Sequence, residues 1–379
     1  MEQGSHRSFL PRVQRWVVKV GSALVTGSGN GIDHDCIAAW SDQIARLRKA
    51  GRQVTVVSSG AIAEGVKRLG WQQRPRSVYQ LQAAAALGQS GLVSCWTEGF
   101  ARHQLMTAQV LLTHDDLSDR RRYLNALSTL RELLRLGVIP IVNENDTVVT
   151  DEIRFGDNDT LAALVANLVE AQGLLILTDQ PGMMDSDPRE NPQASRIAQA
   201  RAGDPALERL CGATPGELGR GGMLTKVRAA ARAARSGTYT VVGDGREARV
   251  IEKVVEGQGD VGTLFVPDCE PLAARKQWLA NHLQIAGRLY LDDGAARALR
   301  DGGKSLLPVG VVSVEGNFSR GDMVACLDSQ GIEVARGLVG YASDEAGMIR
   351  GWASSEIEQV LGYVEEPELI HRDNMAITG

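Results

Sequence analysis

Runs of consecutive apolar residues alternate with stretches of helical periodicity over the longer, N-terminal part of the chain. The apolar runs that we interpret as buried strands lie at 16–22, where the strand ends in a turn, and at 53–57, 138–142, 174–177 and 238–242. Between them, apolar residues such as Ile37, Trp40 and Ile44 recur at the spacing of one helix face. Strands that are apolar throughout and alternate with helices indicate an α/β fold, with an open and mainly parallel sheet and helices on both faces.

The pattern changes after about residue 266. A charged, proline-containing connector at 267–282 leads to short strands separated by turn residues, which lie at 288–291, 310–314, 323–327 and 333–338. This spacing is typical of a small, mostly β domain. We therefore predict four parts, namely a flexible N-terminus at 1–15, an α/β domain at 16–267, a linker at 268–286 and a mostly β domain at 287–376.

The composition is that of a globular protein. The chain has 379 residues, of which 43% are apolar and 23% charged, and a chain of that length usually divides into two domains. The net charge of −5 argues against a nucleic-acid or membrane-surface binder. The five cysteines show no CxxC spacing, and the sequence has no apolar run of about 18 residues. We therefore expect a cytoplasmic protein with no disulfide framework, no zinc site and no membrane span.

Several well-known catalytic motifs are missing from the sequence. It contains no GxxxxGK(S/T) phosphate loop, no GxSxG and no HExxH. The six histidines stand alone, and a lone histidine is more often a surface or core residue than a catalyst. Any catalytic chemistry must therefore rest on other residues.

Two lysines stand out beside glycine-rich turns. Lys19 lies inside an apolar strand, where an unpaired charge is costly, and Gly21 allows the backbone to approach a ligand closely. The glycine-rich stretch at 219–226 opens a helix and ends in Lys226, a combination that suits a phosphate group. The alternative interpretation of Lys19 is an edge lysine whose ammonium group reaches water. The alternative interpretation of residues 219–226 is a flexible surface loop.

Polar side chains gather at the predicted strand ends and before one helix. Asp157, Asn158 and Asp159 precede a helix in greater number than capping requires, although one of them is expected to cap it. A similar density occurs at 143–146, after a strand, and Ser59 lies in a turn where it either binds a carboxylate or simply caps a helix. Because ligands bind beyond the carboxyl ends of parallel strands, we predict a binding site there.

These residue types suit phosphoryl transfer, which depends on positioning and on neutralising charge more than on covalent chemistry. If the acceptor is a carboxylate, it is already ionised at neutral pH and needs no general base. The lack of a histidine–carboxylate pair in the sequence is consistent with such an acceptor and does not prove it.

Nine short runs that carry these residues, taken together and in order, resemble the amino-acid kinase family, and within it the members with a C-terminal PUA domain. They are VVKVGS at 17–22, SGAIA at 59–63, IVNEND at 141–146, GDND at 156–159, LTDQ at 177–180, DPR at 187–189, GGMLTK at 221–226, VGTLF at 261–265 and GNFSRG at 316–321. Each run is weakly specific by itself. The ordered set, which spans nearly the whole chain, is highly specific.

The resemblance implies transfer of the γ-phosphoryl group of ATP to the side-chain carboxylate of L-glutamate. The product would be γ-glutamyl phosphate, at the first committed step of proline biosynthesis. Mg²⁺ would enter with ATP, with a position near Asp157 as one candidate, and no dedicated protein cage is expected. The family also implies feedback inhibition by proline and a homo-oligomer, and it leaves open a glutamyl-phosphate reductase as a partner.

The resemblance also assigns roles to individual positions. Lys19 and Lys226 would neutralise the transferring phosphoryl group and Asp159 would hold both lysines, so these three are the predicted catalytic residues. The predicted glutamate-binding residues are Ser59, Asn143, Glu144, Asp146 and Asn158. The predicted nucleotide-binding residues are Lys19, Gly21, Thr178, Asp179, Gly221, Gly222, Met223, Leu224, Thr225 and Lys226.

Three alternatives stay open. Another member of the family would act on N-acetylglutamate, aspartate or a nucleoside monophosphate, although the appended β domain and the GDND run favour glutamate. An RNA-binding PUA protein would need positive charge, whereas residues 285–379 carry eight Lys and Arg against fifteen Asp and Glu, so nucleic acid is not an expected partner. The presence of Lys19, Asp159 and Lys226 argues against an inactive regulatory subunit.

Overall fold

The computed structural model of the chain describes residues 6–27, 31–149, 158–187, 191–211, 222–268 and 285–378. The chain divides into two compact units. Unit 1 comprises Met1–His114 and Leu127–Pro271, and unit 2 comprises Asp115–Ala126 and Leu272–Gly379. Unit 2 thus takes in residues 115–126, which the hydrophobic pattern assigns to the α/β domain.

An eight-stranded sheet forms the centre of unit 1. Its strands are β1 (Arg15–Val20), β2 (Gln53–Ser58), β3 (Thr107–Leu112), β4 (Ile139–Glu144), β5 (Gly173–Thr178), β6 (Gln199–Arg201), β7 (Tyr239–Asp244) and β8 (Thr263–Val266). They lie in the order β3-β4-β2-β1-β5-β7-β8-β6. Neighbouring strands are parallel, with the exception of β7 and β8. The sheet is mainly parallel, which confirms the predicted fold class.

Helices cover both faces of this sheet. The helices that precede residue 268 are α1 (Ser22–Val25), α2 (His34–Lys49), α3 (Ala61–Arg68), α4 (Val78–Ala101), α5 (His114–Ser118), α6 (Arg120–Arg135), α7 (Asn158–Leu168), α8 (Pro205–Leu210), α9 (Met223–Ala234) and α10 (Val250–Val255). Of these, α5 from residue 115 onward and the first part of α6 belong to unit 2. Trp16, Val18 and Val20 of β1 share one core with apolar residues of α2, α4 and α10. Alternate residues of a strand face opposite sides, so Lys19 faces the other side, and α7 packs against β1 and β5.

The N-terminal segment is a packed element of unit 1. Residues His6–Arg12 form a 3-10 helix in which Leu10 is fully buried. The ring of Phe9 stacks on Tyr239 with centroids 4.6 Å apart, and the Arg7 guanidinium donates to backbone carbonyls just before β8. The prediction of a flexible stretch at 1–15 therefore does not describe residues 6–12, because Leu10 is buried and Phe9 and Arg7 contact the rest of unit 1.

A five-stranded sheet forms the core of unit 2. Its strands are β9 (Ile285–Leu291), β10 (Val311–Gly316), β11 (Met323–Leu327), β12 (Glu333–Leu338) and β13 (Met375–Ile377), in the order β10-β9-β11-β12-β13. The helices that follow β9 are α11 (Asp293–Gly302), α12 (Ser343–Ile349) and α13 (Ile357–Leu361), with 3-10 turns at Pro308–Gly310, Ser354–Glu356 and Arg372–Asn374. Leu289, Val324 and Tyr341 are among the side chains buried in its core. The prediction of a mostly β domain after the α/β domain is confirmed.

Polar contacts explain why residues 115–126 belong to unit 2. Arg120 Nη1 lies 3.0 Å from Asp322 Oδ1, and Arg320 Nη1 donates to Asn125 Oδ1 at 2.6 Å. These partners are about two hundred residues apart along the chain. Helical periodicity shows which face of a segment is apolar and gives no sign of which polar residues it will meet.

Candidate active site

Many of the predicted site residues lie at one edge of the unit 1 sheet. Asn143 and Glu144 are the last two residues of β4, Thr178 is the last residue of β5, and Lys19 is the next to last residue of β1. Ser59 directly follows β2. Because β4, β2, β1 and β5 are neighbours and parallel, their carboxyl ends meet at this edge, which is where the sequence predicted a site.

Two lysines converge on one buried carboxylate. Lys19 Nζ lies 2.6 Å from Asp159 Oδ1, and Lys226 Nζ lies 3.0 Å from Asp159 Oδ2. Thr225 Oγ1 donates a hydrogen bond to Asp159 Oδ2 at 2.7 Å. The exposed fractions are 0% for Asp159, 5% for Lys19 and 4% for Lys226, so all three charges are removed from solvent. We call Lys19, Asp159, Thr225 and Lys226 the charged cluster.

The local sequence explains how two helices build the charged cluster. Asp159 is the second residue of α7, where the exposed N–H groups and the helix dipole favour a negative charge. Lys226 ends the first turn of α9, where the same dipole disfavours a cation. The Asp159 carboxylate therefore compensates an ammonium group that the helix dipole disfavours.

The charges around Asp159 control its ionisation. Burial raises the pKa of the carboxyl group, but the charges of Lys19 and Lys226, with hydrogen bonds from Lys19 and Thr225, outweigh burial and lower the pKa to about 2. The group is a carboxylate throughout the neutral range. Two ammonium groups and one carboxylate leave the cluster with one net positive charge, which suits an anionic ligand such as a phosphoryl group.

Two glycines lie next to residues of the site. A Cβ atom on Gly21 would be in ordinary van der Waals contact with the Leu177 carbonyl oxygen at 3.4 Å and with Lys19 Nζ at 3.7 Å, so the backbone here runs directly beside the ammonium group. Gly60 has a φ of +113°, and a Cβ atom there would lie 2.8 Å from Val25 Cγ1. Glycine is therefore required where the chain turns from β2 into α3.

A neutral hydrogen-bond network adjoins the charged cluster. Asn158 Nδ2 donates to Ser59 Oγ and to Asn143 Oδ1, both at 2.9 Å. Asn143 Nδ2 in turn donates to Gln89 Oε1 at 2.8 Å. All four side chains are buried, and we call them the amide cluster. Asn158 and Asp159 are consecutive residues, so the two clusters meet at the start of α7.

The remaining predicted residues lie near the two clusters along the chain. Thr178 Oγ1 donates to Asp179 Oδ1 at 3.2 Å at the end of β5. Glu144 is buried beside Asn143, and Asp146 is half-buried in the turn after β4. Gly222 precedes α9, and Met223 and Leu224 begin it, directly before Thr225. Two predicted residues, Asp157 and Gly221, lie outside the described residues.

Two residues of α4 that contact the site were not predicted from the sequence. Gln89 belongs to the amide cluster, and Trp96 Nε1 donates to Ser58 Oγ at 3.0 Å just before Ser59. The one available signal was a glutamine between two glycines in a helix of small and apolar residues. That signal does not name a partner, because Asn143 is 54 residues away in sequence.

Two further properties of the described residues bear on function. Among them, no group of three or more His, Cys, Asp or Glu side chains could hold a metal ion. No helix in the same part of the chain is long and apolar enough to cross a membrane.

Comparisons with known proteins extend over nearly the whole chain. The family model described as "Amino acid kinase family" matches residues 14–244, and the model of the PUA domain matches residues 287–361. The chain is 72% identical over 372 residues to the Glutamate 5-kinase of Halorhodospira halophila, which covers 98% of this chain and 99% of that protein. It is 61% identical over 371 residues to the Glutamate 5-kinase of Thioalkalivibrio sulfidiphilus, covering 98% and 99% of the two chains. It is 62% identical over 371 residues to the Glutamate 5-kinase of Stutzerimonas stutzeri, covering 98% and 100%.

Proposed function

The chain belongs to the amino acid kinase family, and on that premise we propose that it transfers the γ-phosphoryl group of ATP to the side-chain carboxylate of L-glutamate. The product is γ-glutamyl phosphate, and the reaction is the first committed step of proline biosynthesis. The relatives named Glutamate 5-kinase, which match almost the full length of this chain, support this choice of acceptor over N-acetylglutamate or aspartate.

The observation that carries the proposal is the meeting of the two clusters at the start of α7. Asn158 belongs to the amide cluster and Asp159 to the charged cluster. A phosphoryl group held by the lysines therefore lies beside a ligand held by neutral donors and acceptors. Holding two reactants side by side in this way is the main contribution an enzyme makes to phosphoryl transfer.

In the charged cluster, Lys19 and Lys226 neutralise the charge on the transferring phosphoryl group. Their ammonium groups are already held on Asp159 at 2.6 and 3.0 Å, so little reorganisation is needed when the phosphoryl group arrives. The acceptor carboxylate is ionised at neutral pH and attacks without a general base.

Around the amide cluster, Ser59, Asn143 and Asn158 bind the amino acid through hydrogen bonds. Glu144 and Asp146 add carboxylates at the end of β4, and these suit the ammonium group of an amino acid.

The nucleotide occupies the neighbouring strand end and helix start. Thr178, Asp179 and Gly21 lie at the ends of β5 and β1, and the first turn of α9 with Gly222 offers backbone N–H groups to phosphate. Mg²⁺ enters bound to ATP and has no cage of its own in this proposal. Gly221, which precedes Gly222 in the sequence, is a further proposed nucleotide contact. Asp157, which precedes Asn158, is the candidate position near Mg²⁺.

Family membership also supports proposals about the setting of the reaction. We propose that the enzyme works in the cytoplasm, where ATP and glutamate are available, and that it forms a homo-oligomer. Proline, the end product of the pathway, is the proposed feedback inhibitor. The acyl phosphate product is the substrate of a glutamyl-phosphate reductase, and we propose no nucleic-acid partner, because the C-terminal part of the chain is acidic.

The proposal is tested by incubating the purified protein with MgATP and hydroxylamine in the presence of glutamate, N-acetylglutamate or aspartate. Hydroxylamine traps an acyl phosphate as a hydroxamate. We expect hydroxamate with glutamate alone. Hydroxamate formed with another acceptor would contradict glutamate as the substrate. No hydroxamate with any of the three acceptors would contradict the proposed kinase activity.

A further inference from the structure

We infer that Gln89 is a positioning residue for the amino-acid substrate, which acts by fixing the orientation of Asn143. The inference deepens the proposed function and rests on it, since it concerns the same substrate.

The hydrogen bond between Gln89 and Asn143 gives the network its direction. Gln89 is 8% exposed, and its Oε1 accepts from Asn143 Nδ2 at 2.8 Å. An asparagine amide has donors on one side and an acceptor on the other, so fixing Nδ2 on Gln89 turns Oδ1 the opposite way. Asn143 Oδ1 accordingly accepts from Asn158 Nδ2 at 2.9 Å.

The orientation of the Asn143 amide in turn fixes the orientation of the Asn158 amide, at the start of α7. Its Nδ2 contacts Asn143 Oδ1 and Ser59 Oγ, both at 2.9 Å, and the more distant Ser58 carbonyl oxygen at 3.2 Å. Its Oδ1 has no partner among the described residues. An oxygen acceptor held in this way suits the ammonium group of an amino acid, and reversing the Asn143 amide would present Asn158 with a donor in place of the acceptor it needs.

Contacts of helix α4 with α3 and with the end of β2 fix the position of Gln89. A Cβ atom on Gly88 would lie 1.9 Å from the Ala61 carbonyl oxygen, so α4 and α3 are in direct backbone contact next to Gln89. Two turns further on, Trp96 Nε1 donates to Ser58 Oγ at 3.0 Å. One helix therefore supports the ends of both β2 and β4, and Gln89 is the residue through which it reaches β4.

The second polar atom of the Gln89 amide indicates that this glutamine is not there for stability. Gln89 Nε2 is buried, and within the described part of the chain it has no hydrogen-bond partner. A buried donor without a partner destabilises the unliganded protein. A glutamine at this position therefore costs stability through Nε2, and the orientation that its Oε1 gives to Asn143 is a reason for its presence.

The experiment compares the steady-state kinetics of Gln89→Met with those of the wild type in the hydroxamate assay. Methionine keeps the length of the side chain and removes both polar atoms. We expect KM for glutamate to rise about tenfold, the effect of losing one buried hydrogen-bond orientation. We expect KM for ATP and kcat to stay close to their wild-type values, because the charged cluster is untouched.

The matched control is Gln43→Met. Gln43 is a second buried glutamine, whose Oε1 accepts from the backbone N–H of Ile251 at 3.0 Å, outside both clusters. Its replacement removes the same polar atoms and is expected to lower thermal stability without changing KM for glutamate.

A double-mutant cycle with Asn143→Ala tests the route of the effect. If Gln89 acts through Asn143, Gln89→Met raises KM for glutamate much less in the Asn143→Ala background than in the wild type. Equal effects in the two backgrounds would overturn the positioning role. If Gln89→Met does not fold, Gln89→Ala, which adds no bulk, provides the same comparison.

The remaining outcomes separate this inference from the proposed function. An active wild type together with an unchanged KM for glutamate in Gln89→Met, or with KM values for glutamate and ATP that rise equally, overturns the inference alone. A wild type that yields no hydroxamate from glutamate overturns the proposed function and the inference with it.

Discussion

The charged cluster and the amide cluster meet at two consecutive residues, Asp159 and Asn158, yet each cluster is stabilised by a different kind of interaction. In the charged cluster two ammonium groups share one carboxylate that has no exposed surface. In the amide cluster four neutral side chains form a directed chain of hydrogen bonds.

The difference separates two kinds of contribution. A buried charge that loses its partner strongly destabilises the folded state, because the charge stays desolvated with nothing to compensate it. A neutral hydrogen bond contributes only about 1 kcal/mol, but it fixes which atom faces the ligand. We therefore expect the charged cluster to govern folding stability and kcat, and the amide cluster to govern KM for the amino acid.

The largest expected effect comes from Asp159→Asn, which removes the buried carboxylate that both Lys19 and Lys226 contact. Breaking a buried ion pair costs about 3–5 kcal/mol of unfolding free energy. Because both phosphoryl-neutralising lysines lose their anchor, we expect kcat to fall by at least about 10³-fold. Urea unfolding and the hydroxamate assay measure the two effects.

Asp42→Asn is the control for Asp159→Asn. Asp42 Oδ1 lies 3.1 Å from Arg102 Nη2 and 2.7 Å from His103 Nε2 at the surface, and such surface pairs contribute at most about 1 kcal/mol each. Equal losses of stability in the two variants would show that burial of the charge does not matter, which would remove the basis of the comparison.

The next effect comes from Lys226→Ala, which removes one ammonium group and leaves Asp159 paired with Lys19. We expect kcat to fall by roughly 10²-fold or more while the fold is kept, as for other preorganised charge contacts. The control is Lys253→Ala, which removes a half-buried pair with Glu247 that lies outside both clusters and should leave kcat unchanged. Near-normal turnover by a folded Lys226→Ala protein would refute the assigned role of this lysine.

The pH dependence of stability sharpens the comparison further. The pKa of Asp159 is lowered from its ordinary value of 3.8 to about 2. Its ionised form therefore stabilises the folded state above about pH 3.8, and this contribution is lost as the pH falls through about 2. The difference between the two pKa values corresponds to about 2 kcal/mol.

The expected result is a difference in slope between two proteins. From pH 5 to pH 2 the wild type should lose about 2 kcal/mol more unfolding free energy than Asp159→Asn, which has no carboxyl group to protonate. Parallel pH profiles from urea unfolding would mean that the lysines do not stabilise the carboxylate.

The smallest effect is expected from Gly60→Ala, next to the amide cluster. The φ of +113° and the Cβ distance of 2.8 Å to Val25 Cγ1 strain any side chain at this position. The strain costs about 1–2 kcal/mol, and relief by movement of Ser59 should raise KM for glutamate without a matching change in kcat.

Gly51→Ala separates the backbone strain from the effect on the site. Gly51 has a φ of +83°, with no atom within 4 Å of the Cβ position. It should lose stability and keep its KM for glutamate. If both glycine variants change KM alike, the amide cluster does not depend on the exact path of the chain at Gly60.

Local patterns in the sequence predicted most of the elements that carry the site. Continuous apolar runs predicted the strands around Lys19 and Asn143, and helical periodicity predicted the helix that follows Asp159, because burial of apolar side chains is decided residue by residue. The same patterns did not predict the packed helix at His6–Arg12, whose buried side chains lie in a short stretch with polar neighbours.

The sequence by itself determined which residues stand at the strand ends, and, through the resemblance of its ordered runs, the family to which the chain belongs. Only the tertiary structure decided that Lys226 reaches a carboxylate 67 residues away, that Gln89 reaches an amide 54 residues away, and that residues 115–126 join unit 2. The reason is physical. The apolar pattern of a segment fixes which face it buries, whereas the partner of a buried polar group depends on how distant segments are brought together, and no local spacing records that.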